Sequence, residues 1–395
     1  MKAREATAAD RPCAVPPARP GEFRPLAVGP LRVWPPVVLA PMAGVTNYPF
    51  RRLCRDFGAG LYVSEMITAR GFLEGNAFTR LLASGGADER PRSVQIYGSD
   101  PAEVGPMAAV LADEGVEHLD LNFGCPVPKV TRHGGGSAIP VKPRLMAALV
   151  RAAVRGARGV PVTVKVRKGI DDGLLTYRDA GRVAEEEGAA AIGLHARTAA
   201  QLYAGRADWG AIADLKTRVR IPVLGNGDVW EPWDALRMMR ETGCDGVIVG
   251  RGCLGRPWLF AELAAMFDGR APAPAPTLGE IVAVMRRHAA ALVEFFGPHR
   301  GVLQMRKWCT WYVAGFRGAA RARSALTRIR TLEEMDAILA RLDAGERWTG
   351  AASRATSAGR VQERVRLPHG YLADRDDAAP PVLPAAAWAA AADGG

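Results

Sequence analysis

Eight short β-rich runs recur between residues 37 and 249, and most are separated by an alanine-rich stretch with the 3.6-residue period of an amphipathic helix. The runs cover 37–40, 61–63, 93–97, 118–121, 162–166, 191–194, 222–224 and 246–249. The clearest helical stretches between them are 102–114, 143–155, 177–187, 209–217 and 233–242. Alternation of this kind belongs to α/β proteins with a parallel sheet. An open doubly wound sheet would also alternate, but eight units ending in a glycine-rich segment fit closure better. The pattern therefore predicts a (β/α)8 TIM barrel over residues 26–270.

In such barrels chemistry sits where strands end and loops begin. The residues found there are polar and specific. Pro41, Met42 and Ala43 follow the first run, Ser64, Glu65 and Met66 the second, Gln95 lies within the third, and Asn122 and Cys125 follow the fourth. Lys165 lies on the fifth, His195 and Arg197 at the sixth, Asn226, Gly227 and Asp228 at the seventh, and Gly250, Arg251 and Gly252 at the eighth. Taken singly, Lys165 could snorkel, His195 could be a hydrogen-bonded core histidine, and Asn226-Gly227 could be only a turn. Their joint placement argues for a site. Cys125, between Gly124 and Pro126 and followed by Lys129, Arg132 and His133, is either a reactive thiol in a cationic loop or a small buried side chain in a turn. The loops after the last two strands, with Asn226 to Asp228 and Gly250 to Gly252, stand where barrel enzymes hold phosphate, and Arg251 could add a charge-assisted contact.

A proline-spaced linker at 271–277 closes the barrel segment. Beyond it, 278–296, 301–314 and 332–342 read as helices, so 278–345 is expected to be a small helical bundle. Arg317, Arg321, Arg323, Arg328 and Arg330 occur there without an intervening acid, after Trp308, Trp311 and Tyr312. An arginine row is commonly a solvated face, but aromatics beside arginines also suit an RNA backbone and its unstacked bases. Residues 1–25 are expected to be a flexible leader and 346–395 a disordered tail, because both lack hydrophobic periodicity.

A formal charge of +11 permits a polyanionic partner without requiring one. The six cysteines contain no Cys-x-x-Cys pair, which argues against a zinc ribbon, an iron–sulfur site or a disulfide framework. Neither a signal peptide nor an apolar run of membrane-spanning length is present, so we expect a cytoplasmic, metal-free monomer. Gly250-Arg-Gly-Cys-Leu-Gly255 has dinucleotide-fingerprint spacing, yet no further strand follows to complete that motif. His133-Gly-Gly-Gly136 resembles an esterase oxyanion loop, but no Gly-x-Ser-x-Gly elbow accompanies it.

Ala40-Pro-Met-Ala-Gly-Val-Thr46, Gln95, Leu119-Asp-Leu-Asn-Phe-Gly-Cys-Pro126, Val164-Lys-Val-Arg167, Leu194-His-Ala-Arg-Thr198, Gly225-Asn-Gly-Asp228 and Val249-Gly-Arg251 together resemble the tRNA-dihydrouridine synthases, most closely the bacterial B-type branch. The resemblance covers about residues 30 to 345. Asn47 stands where that family commonly has Asp, Phe123 where Met is frequent, and His133-Gly134-Gly135 replaces a less glycine-rich run.

The resemblance implies FMN as cofactor, NADPH as reductant and uridine in tRNA as substrate. Pro41, Met42 and Ala43 would meet the isoalloxazine, with Gln95 and Lys165 at its polar edge, while His195, Asn226, Gly227, Asp228, Gly250 and Arg251 would hold the phosphate end. Hydride would pass to C6 of the uracil and Cys125 would protonate C5, with Asn122 orienting the base. Lys129, Arg132, Arg197, Arg317, Arg321 and Arg323 would contact RNA. Two alternatives stay open here: a flavin barrel acting on a free pyrimidine or a dihydroorotate-like metabolite, and a catalytically idle RNA-binding barrel.

Overall fold

A computed structural model describes residues 15–350 and 361–381. At its centre is a nine-strand parallel sheet made of β1 (Val37–Leu39), β2 (Leu61–Tyr62), β3 (Met66–Thr68), β4 (Ser93–Tyr97), β5 (His118–Phe123), β6 (Val162–Arg167), β7 (Ala191–His195), β8 (Val223–Asn226) and β9 (Gly246–Val249). Neighbours run in the order β2-β1-β9-β8-β7-β6-β5-β4-β3. The run expected at 61–63 forms β2, whereas β3 lies in the stretch expected to be loop after it and is a further short strand beyond a break at residues 63–65. Val63 N–H donates to Leu39 O at 3.3 Å and Ser64 N–H to Ser93 O at 3.1 Å, so hydrogen bonding continues across the break and the sheet closes as an eight-unit barrel.

The local chemistry explains the connections. Parallel strands need long crossovers, and helices supply them. Pro101–Asp113 starts on the Asp100 side chain, which accepts Ala102 N–H, and Pro232–Thr242 ends at Gly243 in the left-handed region with φ 69. Asn47 caps Tyr48–Asp56 by accepting Phe50 N–H, the role that aspartate would also perform. Two antiparallel hairpins were not foreseen: Leu26–Val28 with Leu31–Val33, and Gly169–Asp171 with Leu174–Leu175. The first packs Leu26, Val28 and Val33 against Val38, Leu61, Leu224 and Ile248, plugging the barrel end opposite the strand-end loops.

The carboxyl-terminal region is helical, with Leu278–Phe296, Pro298–Tyr312, Ala320–Leu326 and Leu332–Leu339. It shares a core with the barrel: Phe50 meets Trp308 at 4.3 Å and His288 at 5.6 Å between ring centroids. Trp308 and Tyr312 are fully buried, which corrects their reading as RNA-facing aromatics. Hydrophobic area decided their place, since a tryptophan on the inner face of an amphipathic helix stabilises more by docking than by waiting for a ligand.

The expected flexible leader and disordered tail also differ from what is seen. Of the leader, residues 15–25 are described: Ala18 N–H bonds Met266 O at 2.9 Å, and Phe23 packs edge-on to Phe267. In the tail, Trp348 is buried against Trp258, and 361–381 lie along the barrel with Val365 and Tyr371 buried. Low periodicity hid these segments because each buries isolated anchors instead of a stripe. Residues 1–14, with Cys13, and 351–360 and 382–395 lie outside the described residues. Among the described residues no group of three or more His, Cys, Asp or Glu could hold a metal ion, and no helix is long and apolar enough to cross a membrane.

Candidate active site

Past β5 the chain turns on Asn122. Its Oδ1 accepts the N–H groups of Gly124 at 3.1 Å and Cys125 at 3.0 Å, while its Nδ2 donates to Gln95 Oε1 at 3.0 Å. Gln95 Nε2 in turn donates to Asp120 Oδ2 at 2.7 Å, and Thr163 Oγ1 donates to the other oxygen of that carboxylate. His118 bridges Thr163 and Ser93 deeper in the barrel. A polar column therefore runs from the barrel interior to the Cys125 turn. Burial pushes Asp120 up to about 6, against the opposing pull of Thr163, Gln95 and Lys165, and pushes His118 down to about 4.

Above this column lies a cavity of ≈ 530 Å³ lined by Pro41, Met42, Ala43, Gln95, Asn122, Cys125, Lys129, Lys165, His195 and Arg251, among others. A second compartment of ≈ 90 Å³ is lined by Arg197, Asn226, Gly227, Asp228 and Gly250, and shares Pro41, Met42, Lys165, His195 and Arg251 with the first. The two form one slot with a broad apolar mouth and a narrow polar end. Cys125 faces the mouth half-buried, and burial raises its thiol above the usual range, against the Val127 amide and the Arg167 charge.

The narrow end is strongly cationic. Lys165, Arg167, Arg197 and Arg251 all bear on His195, and burial together with these charges holds its imidazole well below the ordinary value. Burial lowers Lys165 to about 8, helped by Arg167 and opposed by Asp120. Lys165 Nζ donates to Asn226 Oδ1 at 3.0 Å, and Asn226 Nδ2 to Ile248 O at 2.8 Å. Arg197 pairs with Asp228 at 2.6 Å, but its buried Nη1 has no partner. Asp228 has a left-handed backbone, φ 59, and an added Cβ at Gly227 would lie 2.7 Å from that of Ala207. The backbone is drawn tight around this end, leaving room for an anion beside the arginines.

The family described as Dihydrouridine synthase (Dus) matches residues 38–347. The chain belongs to this family. A probable tRNA-dihydrouridine synthase from Mycobacterium tuberculosis is 52% identical over 364 residues, covering 89% of this chain and 93% of that protein. One from Mycobacterium leprae is 51% identical over 376 residues, with 87% and 98% covered. The tRNA-dihydrouridine synthase B of Pseudomonas syringae pv. tomato is 39% identical over 306 residues, with 78% and 90% covered. Enzymes of the dihydrouridine synthase family are flavin-dependent oxidoreductases that use FMN.

The slot of this dihydrouridine synthase fits that cofactor. Its mouth has the apolar walls a flavin ring needs, and the unpartnered Arg197 Nη1 among the basic groups marks a place for phosphate. Arg197 thus lines the narrow cationic compartment, buried and paired with Asp228, whereas the sequence reading grouped it with the RNA-facing residues. Arg132 lies outside the slot, exposed and bonded to His133, and Arg317, Arg321 and Arg323 are exposed on the helical region. Several lining residues were not named as site residues, among them Tyr97, Arg167 and Tyr203, while Trp311, read with the RNA-facing aromatics, lies on the slot wall. Arg167 was visible in the motif with Lys165, and it supports the Cys125 turn by donating to Gly124 O at 3.0 Å. Tyr203 lies in an irregular loop and packs under Arg251 at 4.5 Å, a contact no periodicity announces.

Proposed function

We propose that this protein reduces the C5–C6 double bond of specific uridines in tRNA, with FMN in the slot and NADPH as reductant. The observation that carries this reading is the placement of one half-buried thiol, Cys125, on the wall of a cavity whose far end is cationic. FMN, once reduced by NADPH, would supply hydride to C6 of the uracil. Pro41, Met42 and Ala43 would bear on its ring, and Lys165 would hold positive charge beside it. Asn226, Gly227, Asp228, Gly250, Arg251, His195 and Arg197 would hold its phosphate arm.

The chain's own groups supply the rest. Cys125 gives its proton to C5, and the resulting thiolate is reprotonated from solvent. A thiol raised by burial keeps that proton through neutral pH, as a general acid must. Asn122 fixes the backbone of the acid. Because C5 and C6 are hard to reach inside folded tRNA, the nucleotide must be extruded into the mouth, where Lys129 and Trp311 lie on the wall. Arg317, Arg321 and Arg323 would grip the RNA outside, and the enzyme would act as a metal-independent monomer in the cytoplasm.

The test is direct. Protein loaded with FMN, given NADPH and unmodified tRNA transcript, should form dihydrouridine in step with NADPH oxidation. Free uridine and uridine monophosphate should turn over far more slowly. Equal turnover of the free nucleotide would move the reading to a metabolite oxidoreductase, and a protein that oxidises NADPH without changing tRNA would defeat it.

A further inference from the structure

Residues 361–381 lie beyond the segment that matches the family, yet they are built onto the back of the Cys125 loop. Gln362 N–H donates to Ala200 O at 2.8 Å, and its side-chain Nε2 donates to Pro126 O at 3.1 Å and Ala199 O at 3.2 Å. Val365 and Tyr371 are buried with Ala138, Val141 and Ile170. Farther on, Arg375 Nε donates to Val141 O at 3.1 Å, and Asp377 pairs with Lys142 at 2.6 Å. These contacts bracket residues 126–142 from one end to the other.

The glycine run of this loop explains the fit. Gly134 has φ +74, and a Cβ there would stand 2.5 Å from Pro381 Cγ and 3.2 Å from Tyr371 Cε2. Gly136 has φ +56, and a Cβ there would stand 2.5 Å from the carbonyl oxygen of Cys125, which also accepts Ser137 N–H at 3.0 Å. One glycine makes room for the tail and the other for the backbone of the acid. A loop this rich in glycine loses much conformational entropy when fixed, so it needs contacts from outside to stay in one arrangement.

We propose that residues 361–381 are a positioning strap, anchored by Gln362 and Tyr371, that holds the 125–142 loop with the Cys125 thiol facing the cavity. This rests on the proton-donor reading of Cys125 for its catalytic consequence, but the hold on the loop is measurable without it. No residue of 361–381 lines the slot, and the strap reaches its wall only through Pro126 on the acid's own loop, so its effect should be confined to the step that needs the acid in place. A displacement of about 1 Å at a reacting group can cost on the order of 10²-fold in rate.

The experiment uses the full chain loaded with FMN, and the variants Gln362→Ala, Tyr371→Ala and Tyr371→Phe. In the two alanine variants, amide exchange in peptides covering 126–142 should quicken, and peptide-resolved alkylation of Cys125 by iodoacetamide should change in rate. Anaerobic flavin reoxidation by saturating tRNA should slow by about 10- to 10²-fold, with the tRNA KM and the NADPH half-reaction unchanged. Tyr371→Phe keeps the packing and should behave as the parent, which separates positioning from a loss of fold. Gly134→Ala approaches from the loop side and should loosen 361–381 reciprocally, so it decides the matter should a strap variant fold poorly. Unchanged exchange and alkylation would overturn the proposal, as would a loosened loop with parental reoxidation. Cys125→Ala, run alongside, tells the two readings apart: parental reoxidation there would defeat the proton-donor reading, while exchange would still report on the strap.

Discussion

Asn122 ties the backbone of Cys125 to the barrel wall: its Oδ1 accepts the Cys125 N–H at 3.0 Å while its Nδ2 donates to Gln95 Oε1 at the same distance. The thiol's position is thus fixed by a strand-end side chain and not by the loop alone. Replacing Asn122 with alanine leaves the Gly124 and Cys125 amides and one Gln95 acceptor without these partners. Unmade hydrogen bonds of buried groups cost about 1–3 kcal/mol each, which is enough to let the turn rearrange. Asn122→Ala should keep FMN and its reduction by NADPH, while reoxidation by tRNA slows by about 10²-fold. Stopped-flow absorbance of the flavin checks both halves.

On the proposed reading, Lys165 should set a pH dependence for cofactor binding. Burial holds its pKa near about 8 without the cofactor, and an anionic group bound beside it would raise that value. Below about 8 the lysine is charged in both states and contributes no pH dependence. Above that value the apoprotein must take up a proton to bind, so FMN affinity should fall as pH rises, by up to about tenfold per pH unit. Titration of apoprotein with FMN in two buffers of different ionisation enthalpy measures the proton uptake directly. In Lys165→Met the uptake should vanish; its persistence there would assign it to another group.

The helical region separates two kinds of residue that the sequence placed together. Trp308 is fully buried against Phe50 and His288, so Trp308→Ala should lower stability by about 3–5 kcal/mol, as cavities left by a lost tryptophan do. Arg317, Arg321 and Arg323 are exposed, and their side chains enter no salt bridge among the described residues. Their alanine variants should leave the melting temperature nearly unchanged and weaken tRNA binding. Each lost phosphate contact should remove about 0.7 to 0.9 from the logarithmic salt slope. Affinity measured at several salt concentrations decides it: an unchanged slope returns the arginines to a solvated surface.

What the sequence made legible follows from period. Parallel barrel strands are buried on both faces and carry continuous apolar runs, as in Val247-Ile-Val249, so all eight runs could be read and the strand-end residues with them. Strand β3 was not legible: Met66–Thr68 is three residues long and directly follows the loop residues Ser64 and Glu65, so no alternation marks it, although Ser64 Oγ accepts Gln95 N–H at 3.0 Å and ties this stretch to the neighbouring strand. Trp308 was misplaced because an aromatic beside arginines has the same local signature whether it faces RNA or a core. Tyr371 was missed because a lone buried anchor in a segment rich in charged residues produces no period. Arg197 was read as cationic, but its pairing with Asp228 across 31 residues needed the fold.

Cys125 yields the sharpest expectation. Burial raises its thiol above the usual range, so the group is protonated at neutral pH and stays so into alkaline solution. An acid works only while it holds its proton, so tRNA-dependent reoxidation should stay level through neutrality on this account and decline only as pH rises past the raised thiol value. The NADPH half-reaction needs no proton from Cys125 and should not share that alkaline limb. In Cys125→Ala the flavin should bind and be reduced as in the parent, whereas reoxidation should slow by about 10² to 10⁴, the usual worth of a positioned general acid. Serine should rescue little, because a hydroxyl is a far poorer acid than a thiol. The measurement is single-turnover flavin reoxidation under anaerobic conditions with saturating unmodified tRNA, repeated across pH. If the alanine variant reoxidised at the parental rate, Cys125 would be a turn residue only, and the proton would have to come from Lys129 or from water in the mouth.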